Sequence, residues 1–397
     1  MAERVKGVRD FLGKEAILRQ TVIQKIREAY EAFGFEPLET PSLEYLSLFT
    51  DKSGPEIEAQ LYSFSDKKGE KLALRPEHTL SRLRAVSENK SLIKPFKSYS
   101  IGDVWRYEDP GKGKYREFLQ ADIDIYGSSS IRYDAEIIAC IDFVFKKLGI
   151  SGYKIHLNNR KILQGLLDDL GILPTEGLQV LRELDKLNKV GEKEVLLRIS
   201  VVIGAKKAEE IKKYIDGKYK LNLIGQKELS ELVDYLKDYG IKDVVIDNSL
   251  IRGNAYYDGN IFEFVTESIG TIAGGGRYDK LSLQFGPSMP VVGAAIGFER
   301  IIEILKSTVT DDFIESYCVI NIDNIKKAVE IATKLRETGK KTDLFLEDVS
   351  LSKGLSYCDA NKIRYAVIIG NKDLKNGEIT IRDLKEKKNK TIKLEEI

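Results

Sequence analysis

Between Gly13 and Phe33, apolar residues recur at three- and four-residue intervals, at Ile17, Leu18, Val22, Ile23, Ile26, Tyr30 and Phe33. The spacing predicts an amphipathic helix, ended by Gly34. Pro37 and Pro41 then force extended chain. Strands are predicted at 61–64, 71–75, 98–108 and 116–126. In the last of these, Phe118, Gln120, Asp122 and Asp124 alternate with Leu119, Ala121, Ile123 and Ile125, so one face of the strand is polar and the other apolar.

Helical spacing returns at 131–148, and 158–240, dense in Leu, Ile, Lys and Glu, reads as an almost wholly helical inserted subdomain. Glycine-punctuated, strand-like sequence occupies 243–296, a helix follows at 298–307, and the polar stretch 308–315 reads as a linker. Beyond it, strands at 317–322, 342–345 and 365–370 alternate with helices at 324–338 and 351–361. That order predicts a small mixed sheet with helices on its faces, extended by strands at 378–382 and 390–394. The expected fold class is α+β, with strand-rich stretches interrupted by helices and a C-terminal α/β unit.

Composition narrows the possibilities. A chain of 397 residues that is 42% hydrophobic has enough apolar side chain for two or three cores, which excludes a single small module. Charged residues make up 31%, but 63 Lys plus Arg offset 62 Asp plus Glu, a net charge of +1. A nucleic-acid partner must therefore meet a local basic patch. Cys140, Cys318 and Cys358 are odd in number and lack metal-ligand spacing, which argues against a disulfide framework and a zinc site. With no signal peptide and no membrane-span-length apolar run, a cytoplasmic location is expected and no membrane partner.

Four clusters carry candidate chemistry. In Leu74-Arg75-Pro76-Glu77-His78-Thr79 a strand runs into a turn with a carboxylate and a hydroxyl two residues apart, suited to an ammonium group; the plain alternative is a helix cap at Thr79. Residues 105–120 give two strands joined by a loop with glycines and cations. Arginine there suits phosphate, because its planar fork donates parallel hydrogen bonds; a solvated charged hairpin is the alternative. The stretch 250–259 includes Arg252, Tyr256 and Tyr257, and is followed by Gly274-Gly275-Gly276-Arg277-Tyr278-Asp279. Three glycines in strand-like sequence mark close approach by a ligand or another backbone, whereas paired tyrosines at such positions are more often core than ligand contacts. Finally, 292–300 is an apolar strand opening a helix with Arg300, otherwise an ordinary surface cation.

The order and spacing of these clusters resemble the histidyl-tRNA synthetase family along nearly the whole chain. Gly7-Val8-Arg9-Asp10-Phe11 and the helix ending near Pro41 look like the family's N-terminal signature and class II motif 1. Residues 104–124 resemble motif 2 and 292–302 motif 3, while Arg252 to Tyr257 and Gly274 to Asp279 look specific for histidine. The resemblance implies a class II catalytic core built on an antiparallel sheet at 1–157 and 243–307, a helical insertion at 158–242 and an α/β anticodon-binding domain at 316–397. It implies ATP-driven activation of L-histidine, with Mg2+ accompanying ATP as substrate and no prosthetic group, transfer to tRNA(His), and a homodimer built on motif 1. Carried over residue by residue, it puts Glu77, Thr79 and Gln120 around the substrate amino group, and Asp124 and Tyr257, with Tyr256, at the imidazole. It assigns Arg106 and Arg252 to catalysis and to the histidine carboxylate and α-phosphate, and Glu108, Arg116, Gly276 and Arg300, with Arg106, to ATP. His78 is read as local structure. Asn254-Ala255 departs from the family's usual Leu-Asp. The alternative is a catalytically silent relative, acting as a histidine-sensing regulatory subunit or an RNA-binding module; the phosphate-binding arginines speak against a sensor.

Overall fold

The computed structural model describes residues 3–50, 59–111, 113–219, 224–251, 256–306, 314–374 and 377–393. Two compact units are present, Met1–Ser307 and Thr308–Ile397.

The first unit opens with helix α1 (Gly13–Ala32), whose buried stripe is Val22, Ile26, Ala29 and Tyr30 together with Arg19. Ile17, expected on that stripe, is exposed instead. Strand β1 (Glu36–Pro37) follows. Then β2 (Leu43–Tyr45), β3 (Ser63–Ser65) and β4 (Lys71–Leu74) form a small antiparallel sheet in the order β2-β4-β3. The sequence offers helix α2 (Thr79–Glu88) only through the alternative reading of a helix cap at Thr79 and does not predict its extent. Its inward face carries the buried Ser81 and Arg82 beside Leu83 and Val86, so the apolar stripe is broken by polar residues.

Strands β5 (Phe96–Trp105) and β6 (Glu117–Tyr126) form the long hairpin of the central sheet. The expected strand at 98–108 ends early, because the backbone N–H of Arg106 turns to Arg116 O and that of Tyr107 to Gln60 O. Helix α3 (Arg132–Leu148) is closed by Gly149 in the left-handed region, as a helix C-terminus favours. Strand β7 (Tyr153–Asn159) was missed in the sequence; it is short and runs directly into helix α4 (Arg160–Asp169). Helices α5 (Pro174–Leu184), α6 (Glu192–Ile203), α7 (Ala205–Ile215) and α8 (Ile224–Asp238) fill the stretch read as helical. Strands β8 (Val244–Ile246), β9 (Asn260–Thr266), β10 (Gly270–Arg277) and β11 (Val291–Gly297) and helix α9 (Phe298–Lys306) complete the unit.

The eight-stranded sheet runs β1-β5-β6-β11-β10-β9-β7-β8, antiparallel except at its edges, where β1 lies parallel to β5 and β8 to β7. Leu119, Ala121, Ile123 and Ile125 of β6 join Tyr30 of α1 and the buried face of α3 in one hydrophobic cluster. That cluster continues without a break through the inward residues of α4 to α8. The polar face of β6, expected from the alternation, is buried as well: Asp122 and Asp124 are only 6% and 4% exposed. A second cluster, containing Leu83, Tyr126, Tyr257, Tyr278 and Met289, accompanies it.

In the second unit, β12 (Ile314–Asn321), α10 (Ile325–Glu337), β13 (Thr342–Leu344), α11 (Leu351–Ala360), β14 (Ile363–Ile369), β15 (Glu378–Asp383) and β16 (Lys388–Lys393) follow in chain order. The sheet order is β13-β12-β14-β15-β16, parallel through the βαβ part and antiparallel at the final hairpin. Most of the stretch read as a linker lies outside the described residues, and β12 already starts at Ile314.

Candidate active site

The site is built on the covered polar face of β6. Period-two alternation puts Gln120, Asp122 and Asp124 in one row, and the tight turn between β4 and α2 brings a second set of polar groups to it. In that turn the Glu77 carboxylate accepts the backbone N–H groups of Thr79 (2.7 Å) and Leu80 (3.0 Å). Helix α2 does begin at Thr79, but the side chain that satisfies its free N–H groups belongs to Glu77. A carboxylate there is favoured by the positive end of the helix dipole. Arg75 is occupied structurally, donating from Nε to Asp103 O (3.0 Å) and from Nη1 to Thr40 O (2.8 Å).

Arg106 reaches the same turn, its Nε donating to Pro76 O at 2.9 Å, and its guanidinium lies 5.3 Å from the Phe118 ring centroid. Glu77 and Arg106 are thus brought together. Farther along the loop, Arg116 donates from Nε to the Glu108 carbonyl (3.2 Å) and lies over the Tyr107 ring, while the Glu108 carboxylate pairs loosely with Lys114 (3.6 Å).

Asp124 is the most heavily held residue of the row. Its Oδ1 accepts the Tyr278 hydroxyl at 2.5 Å, and its Oδ2 accepts the Tyr126 hydroxyl at 3.1 Å and lies 2.7 Å from Arg82 Nη1. Across the sheet stands Gly293, and a Cβ at that position would fall inside the Asp124 carboxylate. Burial, joined by the Asp124 charge, pushes the Tyr278 hydroxyl well above its ordinary range, so it remains a donor. Burial alone would lower Arg82, but Asp124 together with Tyr126, Asp122 and Tyr278 outweighs it and raises the guanidinium, which stays charged.

Tyr278 also ties Asp124 to the paired tyrosines. The Tyr256 and Tyr257 ring centroids are 4.7 Å apart, and each ring meets Tyr278, at 5.6 Å and 6.2 Å. Gly276 faces the Tyr257 ring and Asn260 O, and Gly275 faces Gly293 O, so close approach by protein atoms explains these two glycines. Arg277, beside them, is buried against Asp134 and donates to Ser128 O at 2.9 Å, anchoring β10 to α3. Arg300, exposed at the start of α9, hydrogen-bonds Thr271 O through Nη1.

Sequence reasoning assigned no role to three residues of this site. Arg82, Tyr126 and Tyr278 all act on Asp124, and only Tyr278 lay inside a motif already singled out. Two further features belong to the buried row. Gln120 Oε1 and Asp122 Oδ1 have no hydrogen-bond partner among the described residues, and burial pushes the Asp122 carboxyl well above the usual range despite Arg82 nearby. His78 is buried with Nε2 3.3 Å from Gly102 O, and burial, with Arg75 and Arg82, lowers it to about 3. It is a neutral ring packed under the turn. Arg252 and Asn254-Ala255 lie outside the described residues, and among the described residues no cluster of His, Cys, Asp and Glu is disposed to hold a metal ion.

Against this geometry stand the comparisons with known proteins. The family model described as histidyl-tRNA synthetase matches residues 7–301, and one described as an anticodon binding domain matches 317–397. The histidine–tRNA ligase of Pyrococcus furiosus is 36% identical over 100% of this chain and 98% of its own length. That of Thermococcus kodakarensis is 37% identical, covering 99% of this chain and 96% of the relative. Among solved structures, the histidyl-tRNA synthetase from a Nostoc species superimposes with a TM-score of 0.85 at 26% identity, over 98% of this chain and 96% of that one.

Proposed function

The chain belongs to the histidyl-tRNA synthetase family, and from that premise we propose which of its residues carry the family's reaction. The activity is that of an aminoacyl-tRNA ligase: L-histidine is activated with ATP and joined to tRNA(His). In the first half-reaction the histidine carboxylate attacks the α-phosphorus, the bond to the bridging oxygen breaks, and pyrophosphate leaves. In the second, a hydroxyl of the terminal tRNA ribose takes the histidyl group and AMP departs.

The observation that carries the residue assignment is the state of Asp124. A carboxylate offers about four lone-pair positions. The Tyr278 and Tyr126 hydroxyls take one on each oxygen and Arg82 faces Oδ2 as an ion pair, so we infer that Oδ1 accepts one further N–H donor. The imidazole of histidine supplies such a donor at one nitrogen, and the Tyr257 hydroxyl would serve the other. An analogue lacking either polar atom would leave a buried group unpaired, the penalty by which such pockets discriminate.

Glu77, Thr79 and Gln120 would take the substrate ammonium; the support is the Glu77 carboxylate beside the row containing the unpartnered Gln120 Oε1. Arg106, close to Glu77, would hold the histidine carboxylate and the α-phosphate. Arg116 and Arg300 would take the outer phosphates, with Glu108 and Gly276 at the nucleotide and Mg2+ arriving as part of the ATP substrate. Arg252 would stabilise charge developing at the α-phosphate. The second unit would read the anticodon. A homodimer is supported by the exposed Leu43, Tyr45 and Phe64 on the small sheet; Leu43 and Tyr45 follow directly on the segment resembling motif 1, and Phe64 shares their sheet. No helix among the described residues is long and apolar enough to cross a membrane, and the need for ATP and tRNA fits a cytoplasmic location.

ATP–pyrophosphate exchange with each of the twenty amino acids tests the reading. Exchange with histidine alone is expected, and its loss in Arg252→Ala with the fold intact. No exchange with any amino acid from folded protein would favour the silent relative.

A further inference from the structure

One buried carboxylate, outside the residues assigned above, collects more partners than charge balance requires. Glu299 sits in the first turn of α9, immediately before Arg300. Arg19 of α1 donates to it through both terminal nitrogens, at 2.8 and 2.9 Å. Burial by itself would raise this carboxyl, but hydrogen bonds from Arg19 and Arg9 outweigh it and hold the group below its usual range. A two-pronged arginine already satisfies the charge of one carboxylate, yet a second, Arg9, donates to Glu299 Oε2 from Nη2 at 2.5 Å.

Arg9 has another contact. Its guanidinium carbon lies 3.3 Å from the centroid of the Tyr115 ring, in the loop joining β5 and β6, and 4.8 Å from that of Phe11. Two residues earlier, Gly7 O accepts the backbone N–H of Arg116 at 2.8 Å. Gly7 has a φ of +89°, and a Cβ there would lie 2.8 Å from Arg116 Cγ. The segment 7–9 therefore grips Tyr115 and Arg116 on one side and Glu299 on the other. A guanidinium can stack on a ring and pair with a carboxylate at once, which an ammonium does poorly.

We propose that Arg9 is a positioning residue of the nucleotide site: by joining Tyr115 to Glu299 it fixes the spacing between Arg116 and Arg300, so that both meet one triphosphate. This rests on the assignment of those two arginines to ATP. Arg116 belongs to a loop and Arg300 to a helix; without the clip Arg116 keeps its backbone bonds to Gly7 and Arg106, but its spacing from Arg300 is held less firmly until ATP arrives. The ordering cost then subtracts from binding. Because Arg19 still pairs with Glu299 when Arg9 is gone, the clip is separable from the fold.

The test is ATP–pyrophosphate exchange with histidine, measured for wild type, Arg9→Ala, Arg9→Lys, Tyr115→Leu, the Arg9→Ala/Tyr115→Leu double variant and Arg116→Ala, with melting temperatures alongside. Loss of either Arg9 or Tyr115 is expected to raise the KM for ATP roughly fivefold to twentyfold. The double variant should be no worse than the poorer single one, the KM for histidine should stay within about twofold, and Arg9→Lys should recover little. Melting temperature should stay near wild type. If Arg116→Ala leaves the KM for ATP unchanged, the nucleotide assignment fails and the inference with it. If Arg116→Ala raises it while Arg9→Ala and Tyr115→Leu do not, the assignment stands and the clip is refuted. A parallel rise in both KM values with a lower melting temperature would make Arg9 merely structural. Should Arg9→Ala fail to fold, Tyr115→Leu, a loop substitution, carries the same comparison.

Discussion

Arg82, with its side chain wholly inaccessible, lies 2.7 Å from the Asp124 carboxylate, pairing the middle of α2 with the end of β6. Its second terminal nitrogen, Nη2, donates to Ser98 O at 2.6 Å and Ser98 Oγ at 2.9 Å. The pair fixes the carboxylate beneath the tyrosine cluster. It also leaves little net negative charge at that point.

Replacing Arg82 by methionine should therefore be costly. The substitution keeps much of the volume but leaves a buried carboxylate without its cation, a change that destabilises by about 3–5 kcal/mol. Denaturant unfolding of Arg82→Met checks the loss, and Asp124→Asn in the same background should recover part of it.

A charge-compensated Asp124 suits neutral imidazole better than imidazolium. The KM for histidine is expected to rise as pH falls through about 6.5, where the ligand takes up its proton. Exchange measured from pH 8 to pH 5.5 at saturating ATP reads this out; a flat profile would contradict it.

His78 makes stability depend on acid. Its folded value of about 3 lies below the ordinary 6.5, so between those values the unfolded chain binds the proton and the folded one does not. Stability is full above the unfolded value and is lost as pH falls through that window. His78→Gln should lose less melting temperature than wild type between pH 6.5 and pH 4, a difference that cancels acid effects common to both proteins.

Asp122 has the opposite sign. Burial raises its folded value, so the folded state binds its proton more tightly and stability declines as pH rises past the unfolded value. Asp122→Asn should raise the melting temperature at pH 8, with a smaller gain at pH 4. Equal gains at both pH values would show that the carboxyl is not strained by burial.

Removing residues 316–397, most of the second compact unit, should spare exchange with histidine while weakening charging of tRNA(His). Equal charging by the shortened and full chains would refute the anticodon-reading role of that unit.

The sequence by itself determined whatever depends on local periodicity. Helix α1, helix α3, the helical stretch through α8 and the alternating β12 to β14 region all follow from spacings that a single element must satisfy. The row Gln120, Asp122, Asp124 was legible for the same reason, since a strand separates its faces whatever surrounds it. Glu77, Thr79 and Arg106 were found as motif residues, but not that Glu77 caps the helix beginning at Thr79.

Tertiary structure alone decided what the polar face of β6 meets. Alternation normally means that the polar face is wet; here α2 and the segment around Tyr278 bury it, so Asp124 needs Arg82, Tyr126 and Tyr278 as partners. Those partners lie 2 to 154 residues away in the chain. Arg82 interrupts the apolar stripe of α2, and it is the residue that both hid the helix and completes the site. Arg9 and Glu299 are 290 residues apart, and no periodicity links them. A buried charge is satisfied by whatever group the fold brings within about 3 Å, and that distance is fixed by packing between elements, which a linear pattern does not encode.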